Sequence, residues 1–343
     1  MSPAPGRPPP DVSVLLPYRN GAATIGEALD SILGQRDVTL EIVAIDDGST
    51  DDSPSIVRAR AATDARIVRL ESPRPGIASA LVAGLDVARA RLVARMDADD
   101  VSVPDRLARQ LEHLATTPET DVCATQVEPF ASASSGVGGG MRRYCDWQNR
   151  ALTPEEHLLA RFVESPVCHP SVVIRRELLA RLGPWRDGPF PEDYELWLRL
   201  LASGARFRKL PERLYRWRVH AGQSTFRDAR YSPESIRALR AEWLARELCA
   251  RDRPVVCWGA GPTGTRLVRA LEPHGVRVRA FVDIDPRKIG STRRSVPVLP
   301  PTALQAHADV IVVAVGAAGA RDLVREWLRA RGFVEGPDFL CAA

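Results

Sequence analysis

The stretch Leu92-Val-Ala-Arg-Met-Asp-Ala-Asp-Asp100 runs from an apolar segment directly into three carboxylates. The apolar residues predict a buried strand over 92–96, with the carboxylates at its carboxyl end. Like charges this close raise one another's pKa unless a cation neutralises them. Because divalent metals prefer oxygen ligands and often carry phosphate, the stretch indicates a metal–nucleotide site at Asp97 and Asp99. The alternative is an acidic cap for the helix predicted near residues 104–114, since Asp is a favoured N-cap residue.

Short β-rich runs alternate with helical stretches on the N-terminal side of this segment. The order predicts an α/β fold with a largely parallel sheet and helices on its faces. Ligands of such sheets bind at the carboxyl ends of the strands. The predicted strands are 12–16, 41–45, 67–70 and 92–96, and the predicted helices are 22–33, 51–62 and 77–89.

Length and composition fit two globular domains. The chain has 343 residues, of which 45% are hydrophobic and 26% charged, as is ordinary for such proteins. We expect a disordered tail over 1–10 and a first domain over 11–250, with a helical extension at about 233–250. Small residues over 131–140 predict a loop within it. A new strand at Pro254-Val-Val-Cys-Trp258 opens a smaller domain over 251–343.

Charge, cysteine spacing and hydropathy argue against several classes of protein. A net charge of +4 does not call for a nucleic-acid partner. The six cysteines form no CxxC pair, which argues against a zinc site or a disulfide framework and favours reduced thiols. No apolar run approaches the ~20 residues of a membrane helix, and the start lacks a signal-peptide pattern. We therefore expect a cytoplasmic protein, peripheral at the inner face of the membrane if it works there.

Polar residues also follow the first two predicted strands. Pro17-Tyr18-Arg19-Asn20 comes after the first, and Asp46-Asp-Gly-Ser-Thr-Asp51 after the second. Asp46 or Asp47 can accept a hydrogen bond from a base N–H, and Asn20 can meet a ribose or base. A turn that caps the next helix is the alternative for residues 46–51. The convergence of three polar strand ends on one crevice favours a ligand site.

Several further motifs stand in a recognisable order, and residues 12–130 resemble the family 2 glycosyltransferases. The resemblance extends to about residue 225 and implies a GT-A fold, with a mostly parallel central sheet flanked by helices. The motifs are Val12-Ser-Val-Leu-Leu-Pro-Tyr-Arg-Asn20, Thr24-Ile-x-Glu27-Ala-Leu-x-Ser31-Ile-Leu-x-Gln35, Asp46-Asp-Gly-Ser-Thr-Asp51, Arg95-Met-Asp-Ala-Asp-Asp100 and Pro104-x-Arg106-Leu-x-x-Gln110.

The resemblance implies roles on the donor side. Asp97 and Asp99 match the motif in which Mn²⁺ or Mg²⁺ links the protein to the donor diphosphate, and His220 would bind diphosphate or complete the metal shell. Glu27 has an alternative role at a helix start, and His220 one as a structural hydrogen-bonding residue. The residues that match the family's binding site for the donor nucleotide are Pro17, Tyr18, Asn20 and Glu27. Asp46 or Asp47 would hydrogen-bond the base, and Asp97 would also contact the donor.

A second carboxylate centre, Pro191-Glu192-Asp193-Tyr194, resembles the family's Glu-Asp motif at the start of a helix. An acceptor hydroxyl has a very high pKa, so a positioned base must take its proton as the new bond forms. Asp193 is the predicted base, which implies inversion at the anomeric carbon. The alternative is that Glu192 and Asp193 only cap the helix. On the acceptor side we place Glu192, His169 and Trp197. The alternatives are a structural hydrogen-bonding role for His169 and core packing for Trp197.

The C-terminal segment resembles a small Rossmann-type domain of the NAD- or CoA-binding kind. Gly259, Gly261 and Gly264 follow a strand and open a helix, where a phosphate can approach closely. Asp283, about 20 residues on, is where a ribose hydroxyl would be held. Two roles are open for this domain: it binds NAD or a related nucleotide as a regulator, or it is a degenerate module that only docks the protein to partners.

Together these features predict an inverting, metal-dependent glycosyltransferase. The donor would be a nucleotide sugar, most simply UDP-linked, and the acceptor a hydroxyl of a glycan or lipid-linked sugar. The alternative is a nucleotide-sensing regulatory or scaffold protein whose GT-A domain is catalytically idle.

Overall fold

A computed structural model describes residues 8–131 and 136–343. Most of the tail predicted over 1–10, and residues 132–135 of the loop predicted over 131–140, lie outside the described residues. Residues 136–138 have no regular structure and a helix begins at Gly139, so that loop ends earlier than predicted.

The alternation of strands and helices predicted for the first hundred residues is confirmed, with ends that differ by a few positions. In chain order the elements before residue 228 are β1 (Val12–Tyr18), α1 (Ile25–Leu33), β2 (Leu40–Asp46), α2 (Ser53–Thr63), β3 (Ile67–Glu71), α3 (Ile77–Val87), β4 (Leu92–Arg95), β5 (Val101–Ser102), α4 (Arg106–Thr116), β6 (Val122–Phe130), α5 (Gly139–Arg150), α6 (Pro154–Ala160), β7 (Val173–Arg175), α7 (Arg176–Leu182), α8 (Glu192–Ala202), β8 (Phe207–Arg218) and α9 (Ser224–Arg227).

Eight strands form one sheet in the order β3-β2-β1-β4-β7-β6-β8-β5. The four strands from β3 to β4 run parallel, and so do β6 and β8. The strands β7 and β5 pair antiparallel with their neighbours. This mostly parallel sheet with flanking helices is the fold class expected from the sequence.

The strand β1, in the middle of the parallel half of the sheet, is buried on both faces because apolar side chains point to each of them. In β1, Val14 and Leu16 pack into one hydrophobic cluster, while Leu15 between them packs into another. Each fully buried side chain of this kind contributes about 1.5–3 kcal/mol. Helices on both faces therefore fix the register of β1.

This topology brings the polar segments together. The strand β1 lies between β2 and β4, and its register places Tyr18 beside Asp46 and Leu15 beside Arg95. The residues that follow β1, β2 and β4 therefore share one edge of the sheet, as predicted for a ligand crevice.

The described residues divide into two compact units. The second holds Leu158–Ser165, Pro189–Pro191 and Asp228–Ala343. A six-stranded sheet in the order β11-β12-β10-β9-β13-β14 forms its centre. Its elements are α10 (Pro233–Cys249), β9 (Val255–Trp258), α11 (Pro262–Leu271), β10 (Val278–Val282), β11 (Thr292–Arg293), β12 (Val296–Leu299), β13 (Val310–Val313), α12 (Ala320–Arg329) and β14 (Phe339–Cys341).

The helix α10 falls in this second unit by its contacts, whereas the sequence assigned it as an extension of the first domain. The domain boundary near residue 250 stays a prediction. In the part of the chain that the structure describes, no helix is both long and apolar enough to cross a membrane.

Candidate active site

Three carboxylates converge in the loop that follows β4. One oxygen each from Asp97, Asp99 and Asp100 lies within 4.8 Å of the other two. The side chains of Asp97 and Asp99 are 29% and 25% exposed, whereas Asp100 is 1% exposed. The first two are therefore the carboxylates that a ligand can reach from solvent.

Asp100 does not cap a helix, so the capping alternative is wrong for this residue. The strand β5 follows it, and α4 begins only at Arg106, with Asp105 in the N-cap position. One oxygen of Asp100 accepts from the Tyr215 hydroxyl at 2.7 Å, and the other accepts from the backbone amide of Arg218 at 2.7 Å. Asp100 thus fastens the acidic loop to β8.

The carboxylates of this loop repel one another. Burial raises the pKa of Asp100 well above its ordinary value, and the charges of Asp99 and Asp97 raise it further. Burial and Asp97 also raise the pKa of Asp99, which its contact with His220 opposes. A bound cation would relieve this repulsion.

Arg218, at the end of β8, joins this loop to the first helix. Its Nε donates to the backbone oxygen of Asp99 at 2.5 Å, and its Nη2 pairs with Glu27. Glu27 lies in the first turn of α1 and is exposed. Two residues after Arg218, the Nε2 of His220 lies 2.9 Å from Asp99 Oδ2. His220 is thus placed beside the accessible carboxylates, as the metal-shell prediction requires.

The loops after β1 and β2 are tied to each other. Asn20 has a φ of +52°, a left-handed conformation that Asn tolerates better than most residues. The side-chain Oδ1 of Asn20 accepts from the backbone amide of Thr50 at 2.8 Å, and the backbone amide of Asn20 donates to Ser49 Oγ at 3.1 Å. Because the side-chain oxygen of Asn20 is engaged within the loop, a ligand contact would fall to its Nδ2. Pro17 is buried within β1.

The structure separates the two candidates for base recognition. Asp47 is buried, and its Oδ1 accepts at 2.7 Å from the amide of Gly76, which precedes α3. Asp46 is half-buried and accepts from the Ser49 amide at 2.9 Å. Burial and the neighbouring Asp46 raise the pKa of Tyr18 to about 12, so its hydroxyl stays protonated. The more accessible Asp46 is the better candidate.

The second carboxylate centre opens α8, as predicted. Asp193 lies in the first turn and its Oδ1 accepts from the Tyr194 amide at 2.7 Å. Burial and the charge of Glu192 raise the pKa of Asp193 to about 7, against the opposing charge of Arg95. A carboxylate with such a pKa is well matched to taking a proton at neutral pH.

His169 and Trp197 lie inside the protein. Trp197 is 0% exposed and packs edge-on against His169 and Phe207. The Nε1 of Trp185 donates to His169 Nε2 at 2.8 Å, which leaves the proton on Nδ1, 3.8 Å from Glu192 Oε1. Burial lowers the pKa of His169 well below its ordinary value, so the ring is neutral. A direct sugar contact by Trp197 is therefore excluded in this conformation; it packs against His169.

The residues around the acidic loop fit a hard divalent cation. Asp97 and Asp99 offer accessible carboxylate oxygens, His220 lies beside them, and Mg²⁺ and Mn²⁺ favour such donors. Asp100 is already engaged by two hydrogen-bond donors, so it is the least available of the three carboxylates.

Sequence reasoning assigned no role to three residues that organise this site: Arg95, Tyr215 and Arg218. Arg95 ends β4 and forms an ion pair with Asp97. Two features of the sequence are consistent with the role of Tyr215. A buried carboxylate needs donors, and the period of two in β8 puts Tyr215 and Trp217 on one face.

Comparison with known proteins now identifies the first unit. Residues 13–183 match the profile described as glycosyl transferase family 2. The amylovoran biosynthesis glycosyltransferase AmsE of Erwinia amylovora is 30% identical over 195 residues, which cover 56% of this chain and 70% of that protein. The chain belongs to glycosyl transferase family 2. The succinoglycan biosynthesis protein ExoO of Rhizobium meliloti is 31% identical over 223 residues, and the match spans 62% of each chain.

Solved structures agree with this family 2 assignment at the level of the fold. S. aureus TarS 1–349 in complex with UDP-GlcNAc superposes with a TM-score of 0.55 at 20% identity, over 77% of this chain and 71% of that one. The mannosyltransferase PcManGT from Pyrobaculum calidifontis, in complex with GDP-Man and Mn²⁺, gives 0.50 at 24% identity, over 78% and 73%.

The C-terminal part of this family 2 glycosyltransferase matches a CoA binding domain over residues 250–333. Packing alone requires two of its three loop glycines. A Cβ on Gly259 would lie 2.3 Å from the backbone oxygen of Ala314, and one on Gly264 would lie 1.9 Å from the backbone oxygen of Gly259. No described residue beyond its chain neighbours lies within 4 Å of a Cβ on Gly261, so a ligand can approach the backbone there.

Asp283 follows β10 close to this loop, as expected, but it is engaged by protein groups. Its Oδ2 accepts from the Ala260 amide at 3.0 Å and from Lys288 Nζ at 2.9 Å. A ribose hydroxyl would have to share the carboxylate with Lys288.

Proposed function

We propose that this enzyme transfers a sugar from a UDP-sugar to a hydroxyl of a glycan or lipid-linked acceptor, with inversion and with Mg²⁺ or Mn²⁺. One observation carries the proposal: Asp97 and Asp99 lie together in the loop after β4, both are accessible from solvent, and His220 lies 2.9 Å from Asp99. We assign this acidic loop to the donor and the carboxylate of Asp193 to the acceptor hydroxyl.

The donor class is supported by the polar strand ends and by related proteins. TarS is described in complex with UDP-GlcNAc, and WfaP of Escherichia coli, 28% identical, is named for UDP-Glc. In this chain Asp46 and the Nδ2 of Asn20 are the groups we assign to the nucleoside. Tyr18, protonated beside Asp46, is the adjoining donor.

The proposed metal would be held by Asp97 and Asp99, with His220 beside them. When bound, such an ion stabilises the departing nucleoside diphosphate as a Lewis acid. The description of PcManGT with GDP-Man and Mn²⁺ supports a divalent metal in this fold.

Asp193 is the proposed base. It takes the proton of the acceptor hydroxyl as the acceptor oxygen bonds to the anomeric carbon and the bond from that carbon to the diphosphate oxygen breaks. One displacement with one base inverts the anomeric centre, and no second carboxylate has to protonate the leaving group.

The acceptor class is drawn from relatives of polysaccharide biosynthesis. ExoO and AmsE are named for succinoglycan and amylovoran, and WfaP for a GlcNAc-diphosphoundecaprenol acceptor. A lipid-linked acceptor would bring the enzyme to a membrane surface. The alternative of an idle GT-A domain is not favoured, because Asp97, Asp99 and Asp193 are all present at the site.

A donor screen tests the proposal. UDP-glucose, UDP-GlcNAc and GDP-mannose are incubated with the full chain and Mn²⁺, and nucleoside diphosphate release is followed with and without EDTA. We expect release from a UDP-sugar that EDTA abolishes and that Asp97→Asn and Asp99→Asn each lower at least 100-fold. Asp105→Asn is the matched control, since this exposed carboxylate pairs with the exposed side chain of Arg36. Full activity in EDTA would refute the metal role.

A further inference from the structure

The turn that follows β8 holds His220 against the acidic loop. His220 Nε2 lies 2.9 Å from Asp99 Oδ2, although the two residues are 121 positions apart in the chain. The side chain of His220 is 42% exposed and that of Asp99 is 25% exposed, so a ligand can reach both groups from solvent. What His220 does beside the carboxylate depends on which of its ring nitrogens carries the proton.

The backbone of the same turn determines the position of that proton. The amide of Gly222 donates to His220 Nδ1 at 3.1 Å. A Cβ on Gly222 would lie 3.0 Å from the same nitrogen, so the close approach is easiest for a glycine. Because a neutral imidazole has one donor and one acceptor nitrogen, Nδ1 accepts and the proton lies on Nε2. Nε2 therefore donates a hydrogen bond to Asp99 Oδ2.

The side chain of Gln223 holds this turn in place. Its Nε2 donates to the backbone oxygen of Arg218 at 2.7 Å, and its Oε1 accepts from the backbone amide of His220 at 3.2 Å. Arg218 is itself fixed to the acidic loop, since its amide donates to Asp100 and its Nε donates to the backbone oxygen of Asp99. The imidazole is thus held by the backbone on one side and by Asp99 on the other.

This tautomer is the opposite of the one that a metal-bound histidine adopts. A histidine that binds a metal through one nitrogen donates the proton of its other nitrogen to a carboxylate, a carbonyl or water. In His220 the nitrogen that faces Asp99 carries the proton, and the other nitrogen accepts from a backbone amide. Metal binding through Nε2 would require the proton to move to Nδ1, which would break the hydrogen bond from Gly222.

We propose that His220 is a positioning residue: its Nε2 hydrogen bond holds Asp99 in place for the metal, and the ring does not itself bind the ion. The inference rests on the proposed function, since it takes Asp99 as a metal ligand. It favours a hydrogen-bonding role for His220 over a place in the metal shell. Ligating carboxylates are commonly oriented by hydrogen bonds of this kind.

Two variants of His220 separate positioning from metal binding. Glutamine offers an N–H donor with a reach similar to that of Nε2 but no imidazole nitrogen, and alanine offers neither. Mn²⁺ binding in the presence of UDP is measured by the electron paramagnetic resonance of free Mn²⁺. We expect His220→Ala to weaken binding about 10-fold, as loss of a residue that orients a ligand does, and His220→Gln to bind Mn²⁺ as wild type does. His274→Ala, which removes an exposed histidine of the second unit, is the matched control and should change nothing.

Two spectroscopic measurements on the wild type observe the ring nitrogens directly. The enzyme is prepared with ordinary and with ¹⁵N-labelled histidine, and its complex with Mn²⁺ and UDP is examined by electron spin-echo envelope modulation. We expect no coupling of the kind that a directly bound imidazole nitrogen gives. In the metal-free enzyme, long-range ¹H–¹⁵N NMR should show the proton of His220 on Nε2, with His220→Gln used to assign its signals.

The outcomes lead to different conclusions. A directly bound histidine nitrogen that disappears in His220→Gln, or equal losses of Mn²⁺ affinity in His220→Gln and His220→Ala, would overturn the inference. A proton on Nδ1, or wild-type affinity in His220→Ala, would overturn it as well. If the variants fail to fold, the spin-echo measurement on the wild type decides. If wild-type enzyme with UDP binds no Mn²⁺, the metal role in the proposed function itself fails, whatever His220 does.

Discussion

Tyr215 donates its hydroxyl to Asp100 Oδ2 at 2.7 Å, and the two residues lie 115 positions apart in the chain. The same strand supplies the backbone amide of Arg218 to the other oxygen of Asp100. Both oxygens of a buried carboxylate are thus satisfied from β8. The acidic loop is therefore set by tertiary structure, and its shape depends on residues far beyond the loop.

Removing this hydroxyl should loosen the loop. In Tyr215→Phe, a buried oxygen of Asp100 loses its donor, which typically costs about 1–3 kcal/mol of unfolding free energy. We expect that loss in urea unfolding, together with weaker binding of UDP with Mn²⁺ by calorimetry. Tyr144→Phe is the control, because that half-buried hydroxyl accepts from a neutral side-chain amide, Gln148 Nε2 at 3.1 Å. Equal losses in the two variants would show that the Asp100 contact has no special weight.

The pH dependence of turnover follows from Asp193. Its pKa is raised to about 7, so the carboxylate is protonated below that pH and cannot accept the hydroxyl proton. We expect kcat to fall as pH drops through about 7, and Asp193→Asn to lose turnover at every pH while it still binds UDP. A flat profile between pH 5 and 8 would contradict the assignment.

The raised pKa of Asp193 also predicts that stability falls as pH rises, whereas turnover increases. Because folding raises the pKa of Asp193, the folded state binds the proton more tightly than the unfolded state does. The contribution of this group to stability is full below its unfolded pKa and is lost as pH rises through about 7. Asp193→Asn should therefore gain stability relative to wild type between pH 5 and pH 8, measured by urea unfolding at both. A difference that stays constant with pH would show that Asp193 has no raised pKa.

The sequence predicted the parallel half of the first sheet because each strand there is a short apolar run followed by a polar segment. It also predicted that Asp97, Asp99 and His220 would come together, through the resemblance to the family. It could not predict that Tyr215 and Arg218 would organise these groups, since their contacts depend on the register of β8 against β6 and β5.

Aromatic residues show the same limit. A tryptophan in the sequence does not show which face of its helix is buried. Trp197 lies in α8, which is buried on nearly every side. The structure therefore fits core packing, the alternative to an acceptor contact for Trp197. The choice between Asp46 and Asp47 likewise depends on the amide of Gly76, about thirty residues further on.

That choice can be tested with two matched variants. Asp47→Ala removes the acceptor of the Gly76 amide, so we expect a loss of about 1–3 kcal/mol in unfolding free energy. Asp46→Ala should instead weaken UDP binding about 10-fold, which corresponds to about 1.4 kcal/mol, with a smaller effect on unfolding because the residue is half-buried. The assignment would be reversed if Asp47→Ala lost UDP binding while its unfolding curve matched the wild type.

The C-terminal glycines separate packing from nucleotide binding. In Gly264→Ala the new Cβ would meet the backbone oxygen of Gly259 at 1.9 Å, so we expect the second unit to melt at a lower temperature. Gly261→Ala meets nothing within 4 Å and should leave the melting curve unchanged. If NAD or CoA approaches the backbone at the start of α11, calorimetry will detect its binding to the wild type and not to Gly261→Ala. Binding that persists in Gly261→Ala would place the nucleotide elsewhere. No binding to the wild type would leave the loop, with Asp283 engaged by Lys288, as a purely structural element.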